Sequence, residues 1–209
     1  MRMIVLAVSK PLNIVGADRL ASRLDALSPL TDEALMVRFG NGETDAFEAL
    51  YRRHRARLHR FVKRMNPGEA DEIFQDVWLA VVAGRERYVP TARFVTYLFA
   101  IAHRKSADKW RRKARAENSL VVFDGEDMDP ADESQPDPLN AALNAELGRA
   151  LEDAIALLPV AQREAFLMQA EGGLRLDEIA QASGTSRETI KSRLRYAHNR
   201  LRRALESWT

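Results

Sequence analysis

Residues 176–205 read LDEIAQASGTSRETIKSRLRYAHNRLRRAL, a pattern that predicts two short helices joined by a tight turn. Ser183-Gly184-Thr185 supplies the turn, because its glycine can adopt a positive φ. Ser186 is a good N-cap for the second helix. On the first helix Ile179 and the small Ala180 are expected to face inward, so that the second helix can cross closely. The second helix buries a stripe at helical spacing: Ile190, Leu194, Ala197 and Leu201.

The opposite face of this second helix is polar and basic. Such a helix fits the DNA major groove, where phosphates attract its flanks and base edges meet its N-terminal residues. Lys191 lies where it can contact phosphate or guanine, and Ser192 can reach base edges. An arginine-rich surface helix without a DNA function is the alternative. The predicted DNA-binding residues here are Arg187, Thr189, Lys191, Ser192, Arg193, Arg195 and Tyr196.

Further amphipathic helices are predicted upstream. Apolar residues recur every three or four positions from Phe47 to Met65, and Asn66-Pro67-Gly68 ends that helix. A second helix ends near Gly84, and a third begins after Pro90 with Thr91 as its cap. A shorter helix is predicted from about Thr31 to Arg38.

The third helix becomes strongly basic at residues 103–115, HRKSADKWRRKAR. Basic residues beside an aromatic suit melted DNA, because a single strand offers phosphate charge and exposed base faces together. A solvated helix end with Trp110 packed in the core is the alternative. The predicted residues for melted DNA are Arg104, Lys105, Lys109, Trp110, Arg111 and Arg112.

Residues 117–138 carry prolines and many acids, without lysine or arginine, and predict a flexible acidic linker. The rest of the chain keeps a basic surplus, as a polyanion-binding protein would. Helical spacing then resumes through Leu143, Leu147, Leu151, Ile155 and Leu158 and breaks at Pro159. The predicted fold is all-α, with two small helical domains joined by this linker. The predicted boundaries are 1–28 for a mobile extension, 29–116 for the first domain, 117–138 for the linker and 139–209 for the second domain.

Composition excludes several classes of function. The chain has no cysteine, and its four histidines are scattered, so we expect no metal and no cofactor. No glycine-rich phosphate loop or catalytic triad can be assembled, so we expect no enzyme and no catalytic residue. The six apolar residues MIVLAV near the N-terminus are too short for a secretory segment, and no run is long enough to enter a membrane. A cytoplasmic location is therefore expected.

Three ordered motifs give a specific resemblance. ADEIFQDVW (70–78) resembles the second region of extracytoplasmic-function (ECF) sigma factors, the dissociable promoter-recognition subunits of bacterial RNA polymerase. FVTYLFAIAHRKSADKWRR (94–112) resembles the segment that melts and reads the minus-ten element. Leu158-Pro159, Arg163, Phe166 and the helix-turn-helix resemble the fourth region, which reads the minus-thirty-five element.

The resemblance implies an all-α region 2 bundle and a region 4 helix-turn-helix. It implies binding to promoter DNA and to core polymerase, through the β′ clamp helices and the β flap, and it suggests an anti-sigma partner. Residues 88–96 would hold a loop that captures a flipped minus-ten base. The family commonly has asparagine where this chain has Arg104, so the minus-ten base preference stays open. The residues that would face the polymerase are Asp71, Glu72, Gln75 and Asp76.

Two other proteins remain compatible with the residues alone. A stand-alone helix-turn-helix regulator would usually dimerise on palindromic DNA and needs no acidic polymerase-facing helix. A sigma-like decoy that binds only an anti-sigma protein would lack the basic face, which is intact here. The promoter, the regulon, the inducing signal and the role of residues 1–28 do not follow from the sequence.

Overall fold

The computed structural model describes residues 27–117 and 138–206, and it describes side chains for 27–112 and 146–206. Residues 118–137 of the predicted linker and nearly all of the predicted extension lie outside the described residues. The two end residues of the predicted linker are helical, since Glu117 ends one helix and Pro138 begins the next. Those residues form eight α-helices and no strand, which confirms the all-α prediction. The helices are α1 (Asp32–Gly40), α2 (Thr44–Met65), α3 (Ala70–Gly84), α4 (Phe94–Glu117), α5 (Pro138–Ala156), α6 (Val160–Ala170), α7 (Leu176–Ser183) and α8 (Arg187–Ala204).

The described residues divide into two compact units. The first unit contains 27–54 and 84–94, and the second contains 55–83 together with the described residues from 95 onward. The helix α2 therefore contributes its first half to one unit and its second half to the other. The domain boundaries at 29–116 and 139–209 stay predictions.

The first unit is organised around Asp32. Thr31 caps α1 by accepting a hydrogen bond from the backbone N–H of Ala34, at 3.2 Å. Arg53 and His54, both on α2, contact the two carboxylate oxygens of Asp32, each at 2.7 Å. The core of this unit is apolar and fully or almost fully buried: Leu35, Met36, Phe39, Ala46 and Leu50.

Arg53 also fixes the chain that enters α1. Its guanidinium donates hydrogen bonds to the backbone oxygens of Leu27, Ser28 and Leu30. Leu27 itself is buried. The folded part of the chain therefore includes the last two residues of the predicted extension 1–28.

Helix α4 begins later than predicted. Its first residue is Phe94, three positions beyond Thr91, so the predicted Thr91 cap is wrong. The backbone N–H of Phe94 donates instead to Oε1 of Glu33 on α1, at 2.7 Å. A carboxylate from a distant helix thus satisfies a donor that local capping would otherwise serve.

The second unit contains two apolar clusters. In one, the rings of Phe61 on α2 and Phe99 on α4 meet edge to face with centroids 5.1 Å apart, and Ile73 and Val77 of α3 are also buried. The other cluster joins α6, α7 and α8, which contact one another. Its fully buried members are Leu167, Met168, Ile179 and Ile190.

Helix α5 differs from the prediction at one position. Ile155 and Leu158 are buried as expected, and Leu143 lies outside the described side chains. Leu147, however, is 39% exposed and does not belong to the core. Its spacing fits the stripe, but more than a third of its side chain is accessible to solvent.

Ionic contacts also occur within the second unit. Glu171, which follows α6, is almost fully buried and accepts hydrogen bonds from Arg60 and Arg64 of α2. His103 of α4 pairs with Glu164 of α6. Burial of Glu171 is tolerable because two guanidinium groups satisfy its oxygens.

Candidate nucleic-acid interface

The helix-turn-helix forms as the sequence predicts. Gly184 follows α7 in the left-handed conformation, with φ 63°, which a glycine adopts without a steric penalty. Ser186 caps α8 by accepting a hydrogen bond from the N–H of Thr189 at 3.2 Å. Glu178 supports the start of α7, because its carboxylate accepts from the N–H of Arg175 at 2.8 Å. The turn and both helix starts are thereby fixed by local contacts.

The predicted apolar stripe of α8 is confirmed. Its four residues are all buried against the neighbouring helices: Ile190, Leu194, Ala197 and Leu201. On α7 Ile179 is buried as predicted, but Ala180 is only half-buried. Ala182 is the small residue that is buried there, because it lies three positions beyond Ile179 on the same face.

The opposite face of α8 carries the predicted DNA-binding residues. Six of the seven are exposed, and Arg193 is half-buried. Lys191 has no ion-pair partner among residues 27–112 and 146–206, so its charge is available to a ligand. The exposed six are Arg187, Thr189, Lys191, Ser192, Arg195 and Tyr196.

Two of these residues are held by neighbours. Nε of Arg187 lies 2.7 Å from Oδ1 of Asp177 on α7, which orients the guanidinium at the start of α8. The guanidinium of Arg195 lies over the ring of Tyr196, 5.0 Å from its centroid. Tyr196 is 50% exposed. A basic group and a flat aromatic are thus presented together to solvent.

The basic end of α4 is also exposed to solvent in part. Arg104, Trp110, Arg111 and Arg112 are exposed, and Trp110, at 37% exposure, is not packed in the core. Lys105 and Lys109 are half-buried. Arg111 pairs with Asp108, and this hydrogen bond is the largest cause that lowers the pKa of the Asp108 carboxyl.

The acidic residues of α3 lie beside this basic segment. Glu72, Gln75 and Asp76 follow one stripe of α3 at helical spacing, and Asp71 is the neighbouring exposed carboxylate. Asp71 contacts Nε2 of His59 at 3.2 Å. Gln75 is exposed and, like Asp71, faces away from the apolar cluster.

One residue of this surface was not predicted from the sequence. Leu79 extends the stripe, seven positions after Glu72, and is 55% exposed. Buried Val77, Trp78 and Val81 surround it in sequence, so a leucine there looks like one more core residue. Its spacing from Glu72 and Asp76 was the available signal.

No group of three or more potential ligands that could hold a metal ion occurs among the residues that the structure describes. Within the same part of the chain, no helix is long and apolar enough to cross a membrane.

The site has two parts of different chemistry. One part is a helix-turn-helix with an exposed basic helix, which defines the chain as a DNA-binding protein of the helix-turn-helix class. The other part is a basic helix end beside an acidic stripe that carries an exposed leucine. Residues 50–116 match the family model of Sigma-70 region 2, and residues 148–201 match that of Sigma-70, region 4.

Known proteins give the same result. The chain is 31% identical to the RNA polymerase sigma factor CarQ of Myxococcus xanthus over 172 residues, which cover 81% of this chain and 95% of CarQ. It is 28% identical to the ECF RNA polymerase sigma factor SigK of Mycolicibacterium vanbaalenii, covering 92% of this chain and 96% of SigK. The chain belongs to the ECF family of RNA polymerase sigma factors.

Two solved structures share the fold. CnrH in complex with the cytosolic domain of CnrY has a TM-score of 0.60 and 22% identity, covering 85% of this chain and 99% of CnrH. The sigma factor RpoE of Bartonella quintana, in complex with the anti-sigma factor NepR, has a TM-score of 0.64 and 22% identity, covering 77% of this chain and 96% of RpoE. As a sigma factor, this protein directs core polymerase to promoters and helps to initiate transcription.

Proposed function

We propose that α8 reads the minus-thirty-five element in the major groove. The observation that carries this proposal is the division of α8 into a buried apolar face and an exposed face that presents Lys191, Ser192 and Arg195. Lys191 and Arg195 can donate to guanine, and the Tyr196 ring can pack on a thymine methyl group. Arg187 and Arg193 contact phosphates and set the register. Thr189 supports the cap, because its hydroxyl lies 2.8 Å from the Ser186 hydroxyl.

The basic end of α4 binds the melted minus-ten region in the same proposal. Trp110 is exposed and offers a face on which an unpaired base can stack. Arg104, Arg111 and Arg112 are exposed around it and attract the phosphates of a single strand. Lys105 and Lys109 belong to the same basic set, although carboxylates of α3 hold them in the free chain.

The acidic stripe of α3 docks on the β′ clamp helices of core polymerase. Its support is chemical, since carboxylates on an otherwise basic bundle repel DNA and attract basic protein side chains. Leu79 adds an apolar anchor to Asp71, Glu72, Gln75 and Asp76. The region 4 domain docks on the β flap. One tethered chain must make both DNA contacts, which raises the effective concentration of the second contact.

The protein acts in this proposal as an initiation factor in the cytoplasm, with no catalytic residue and no cofactor of its own. Its domains are 29–116 and 139–209, joined by the acidic linker 117–138.

We further infer control by an anti-sigma protein, which the complex of RpoE with the anti-sigma factor NepR supports by analogy of fold. Affinity purification from uninduced cells should return one inhibitor that blocks initiation in vitro, and its absence would count against this control.

Transcription in vitro tests the main proposal. Purified core polymerase, a fragmented genomic template and the full chain should produce start sites that core polymerase alone does not produce. Replacing Lys191 and Arg195 by alanine should abolish most of them, because each specific base contact is worth about 1 to 3 kcal/mol.

The matched control removes the same charge from the same helix, two to three turns further on, in a variant with Arg202→Ala and Arg203→Ala. Both control residues are exposed. This variant should initiate more weakly at the same promoters, since phosphate contacts carry no sequence information. Equal promoter loss in both variants would overturn the assignment of α8 residues to base edges.

A further inference from the structure

The residues assigned to polymerase and the residues assigned to melted DNA contact each other within the free chain. Lys109 of α4 pairs with Glu72 of α3, and its Nζ also lies 4.0 Å from Oε1 of Glu69. Lys105 lies with Nζ 3.6 Å from Oδ2 of Asp76. Two lysines that are proposed to bind DNA are therefore paired with two carboxylates that are proposed to bind polymerase.

These contacts form a regular ladder and are not isolated. Lys105 and Lys109 are four positions apart on α4, and Glu72 and Asp76 are four positions apart on α3, so each pair lies on one helix face. The later lysine contacts the earlier carboxylate, as neighbouring antiparallel helices require. The side chain of Lys109 is only 15% exposed, and its ammonium group contacts the carboxylates of Glu72 and Glu69.

A lysine held in this way is a poor phosphate ligand. An ammonium group that contacts a carboxylate must give up that contact, or share it, before it can bind phosphate strongly. A carboxylate that binds a basic residue of polymerase likewise attracts the lysine less. Polymerase therefore binds the carboxylates of the same ion pairs whose lysines bind DNA.

We propose that the Lys105–Asp76 and Lys109–Glu72 pairs act as an exchange switch that couples polymerase docking to capture of the melted strand. In the free chain the carboxylates mask the two lysines. When polymerase engages the α3 stripe, Lys105 and Lys109 are released toward single-stranded DNA. The coupling is reciprocal, so bound DNA strengthens polymerase binding by the same factor. This inference rests on the proposed assignment of the two surfaces.

The expected effect of each ion pair on DNA affinity is modest. Ion pairs in which the carboxylate is exposed to solvent are worth a fraction of a kcal/mol to about one, which corresponds to roughly twofold to fivefold in affinity for each pair. Arg104, Arg111 and Arg112 are exposed outside the ladder and keep a baseline affinity for DNA. The switch therefore tunes DNA binding and does not create it.

The test measures single-strand binding without polymerase. The full chain is titrated into a fluorescein-labelled 15-nucleotide single strand of mixed sequence at low salt, and binding is followed by fluorescence anisotropy. A variant with Glu72→Gln and Asp76→Asn should bind about fourfold or more tightly than wild type. The same variant should bind core polymerase more weakly, so the two affinities should move in opposite directions.

A second set of variants tests whether the gain in DNA affinity comes from release of the two lysines or from the general loss of negative charge. With Lys105 and Lys109 both replaced by methionine, the substitutions Glu72→Gln and Asp76→Asn should no longer raise DNA affinity. Glu48→Gln, which breaks an exposed ion pair with Arg52 on α2, is a matched control that should leave DNA affinity unchanged. Circular dichroism of every variant confirms that the helices remain.

The outcomes distinguish this inference from the proposed function. An equal gain in the methionine background, or no gain in the native one, would overturn the switch while core-dependent initiation by the wild-type chain still supported the proposed function. If the wild-type chain failed to initiate transcription with core polymerase, the proposed function would be wrong, whatever the single-strand binding measurements showed.

Discussion

Nε of Arg60 lies 2.9 Å from Oε2 of Glu171, although 111 positions separate the two residues along the chain. Glu171 is almost fully buried, and Arg64 binds its other oxygen. Two guanidinium groups therefore converge on one carboxylate. Removing that carboxylate would leave two like charges close together, offset only by the exposed Glu152 carboxylate, which lies 3.4 Å from Arg64.

Glu171→Gln should accordingly lower the free energy of unfolding by about 1 to 3 kcal/mol, since charge-assisted hydrogen bonds are lost from a poorly solvated site. Thermal melting followed by circular dichroism measures the effect. Glu188→Gln, at an exposed carboxylate 3.7 Å from Arg187, is the control and should change stability by less than about 0.5 kcal/mol. Equal melting temperatures for the two variants would show that the cluster does not stabilise the fold.

Acid should weaken the Asp32 cluster. Burial raises the pKa of Asp32, but hydrogen bonds from His54 and Arg53 and their charges outweigh it, so the pKa of this carboxyl lies below its ordinary value. A carboxyl with a depressed folded-state pKa contributes stability that is fully present above the unfolded-state pKa, and this stability is lost as pH falls through the folded-state pKa.

The difference in urea stability between wild type and Asp32→Asn should therefore be large at pH 5 and should shrink at pH 3 and below. The unfolding free energy at each pH is the measurement. A difference that stays constant across this range would mean that the ionised form of Asp32 is not the stabilising one.

Gly184→Ala should destabilise the helix-turn-helix by about 1 kcal/mol. An added Cβ meets nothing within 4 Å, so the cost comes from the left-handed backbone at φ 63° and not from a clash. Gly148→Ala is a control of opposite sign, because Gly148 lies inside α5 with open space around it and ordinary helical backbone. That variant should gain about 0.5 to 1 kcal/mol. Urea unfolding of both variants checks the pair, and a loss of stability at both sites would contradict the explanation.

Leu79→Ala should weaken binding to core polymerase without unfolding the bundle. About half of this side chain is exposed, and covering it at an interface is worth about 1 kcal/mol, or roughly fivefold in affinity. Binding of labelled chain to core polymerase measures the loss. Val37→Ala, at an exposed apolar residue of α1, is the control and should bind like wild type. Wild-type affinity for the Leu79 variant would remove Leu79 from the docking surface.

Most helices could be predicted because their signals are local. Asn66-Pro67-Gly68 ends α2 at Met65, and Thr31 and Ser186 cap the helices that follow them. The turn at Gly184 was also predicted, from its residue types, and the buried stripe of α8 was predicted from its spacing. The start of α4 was not, because its first N–H is satisfied by Glu33, 61 positions away. No window of neighbouring residues contains that partner.

The candidate site shows the same division. Residue order along the chain was enough to identify the basic face of α8 and the basic end of α4, because each is a set of side chains on one helix at a known periodicity. The acidic residues of α3 were assigned from the resemblance to ECF sigma factors. Folding decided which charges remain available. Lys191 has no ion-pair partner in the described part of the chain, whereas Lys105 and Lys109 are paired with carboxylates of α3. Periodicity specifies the face of a helix, but only packing against another helix specifies what that face meets.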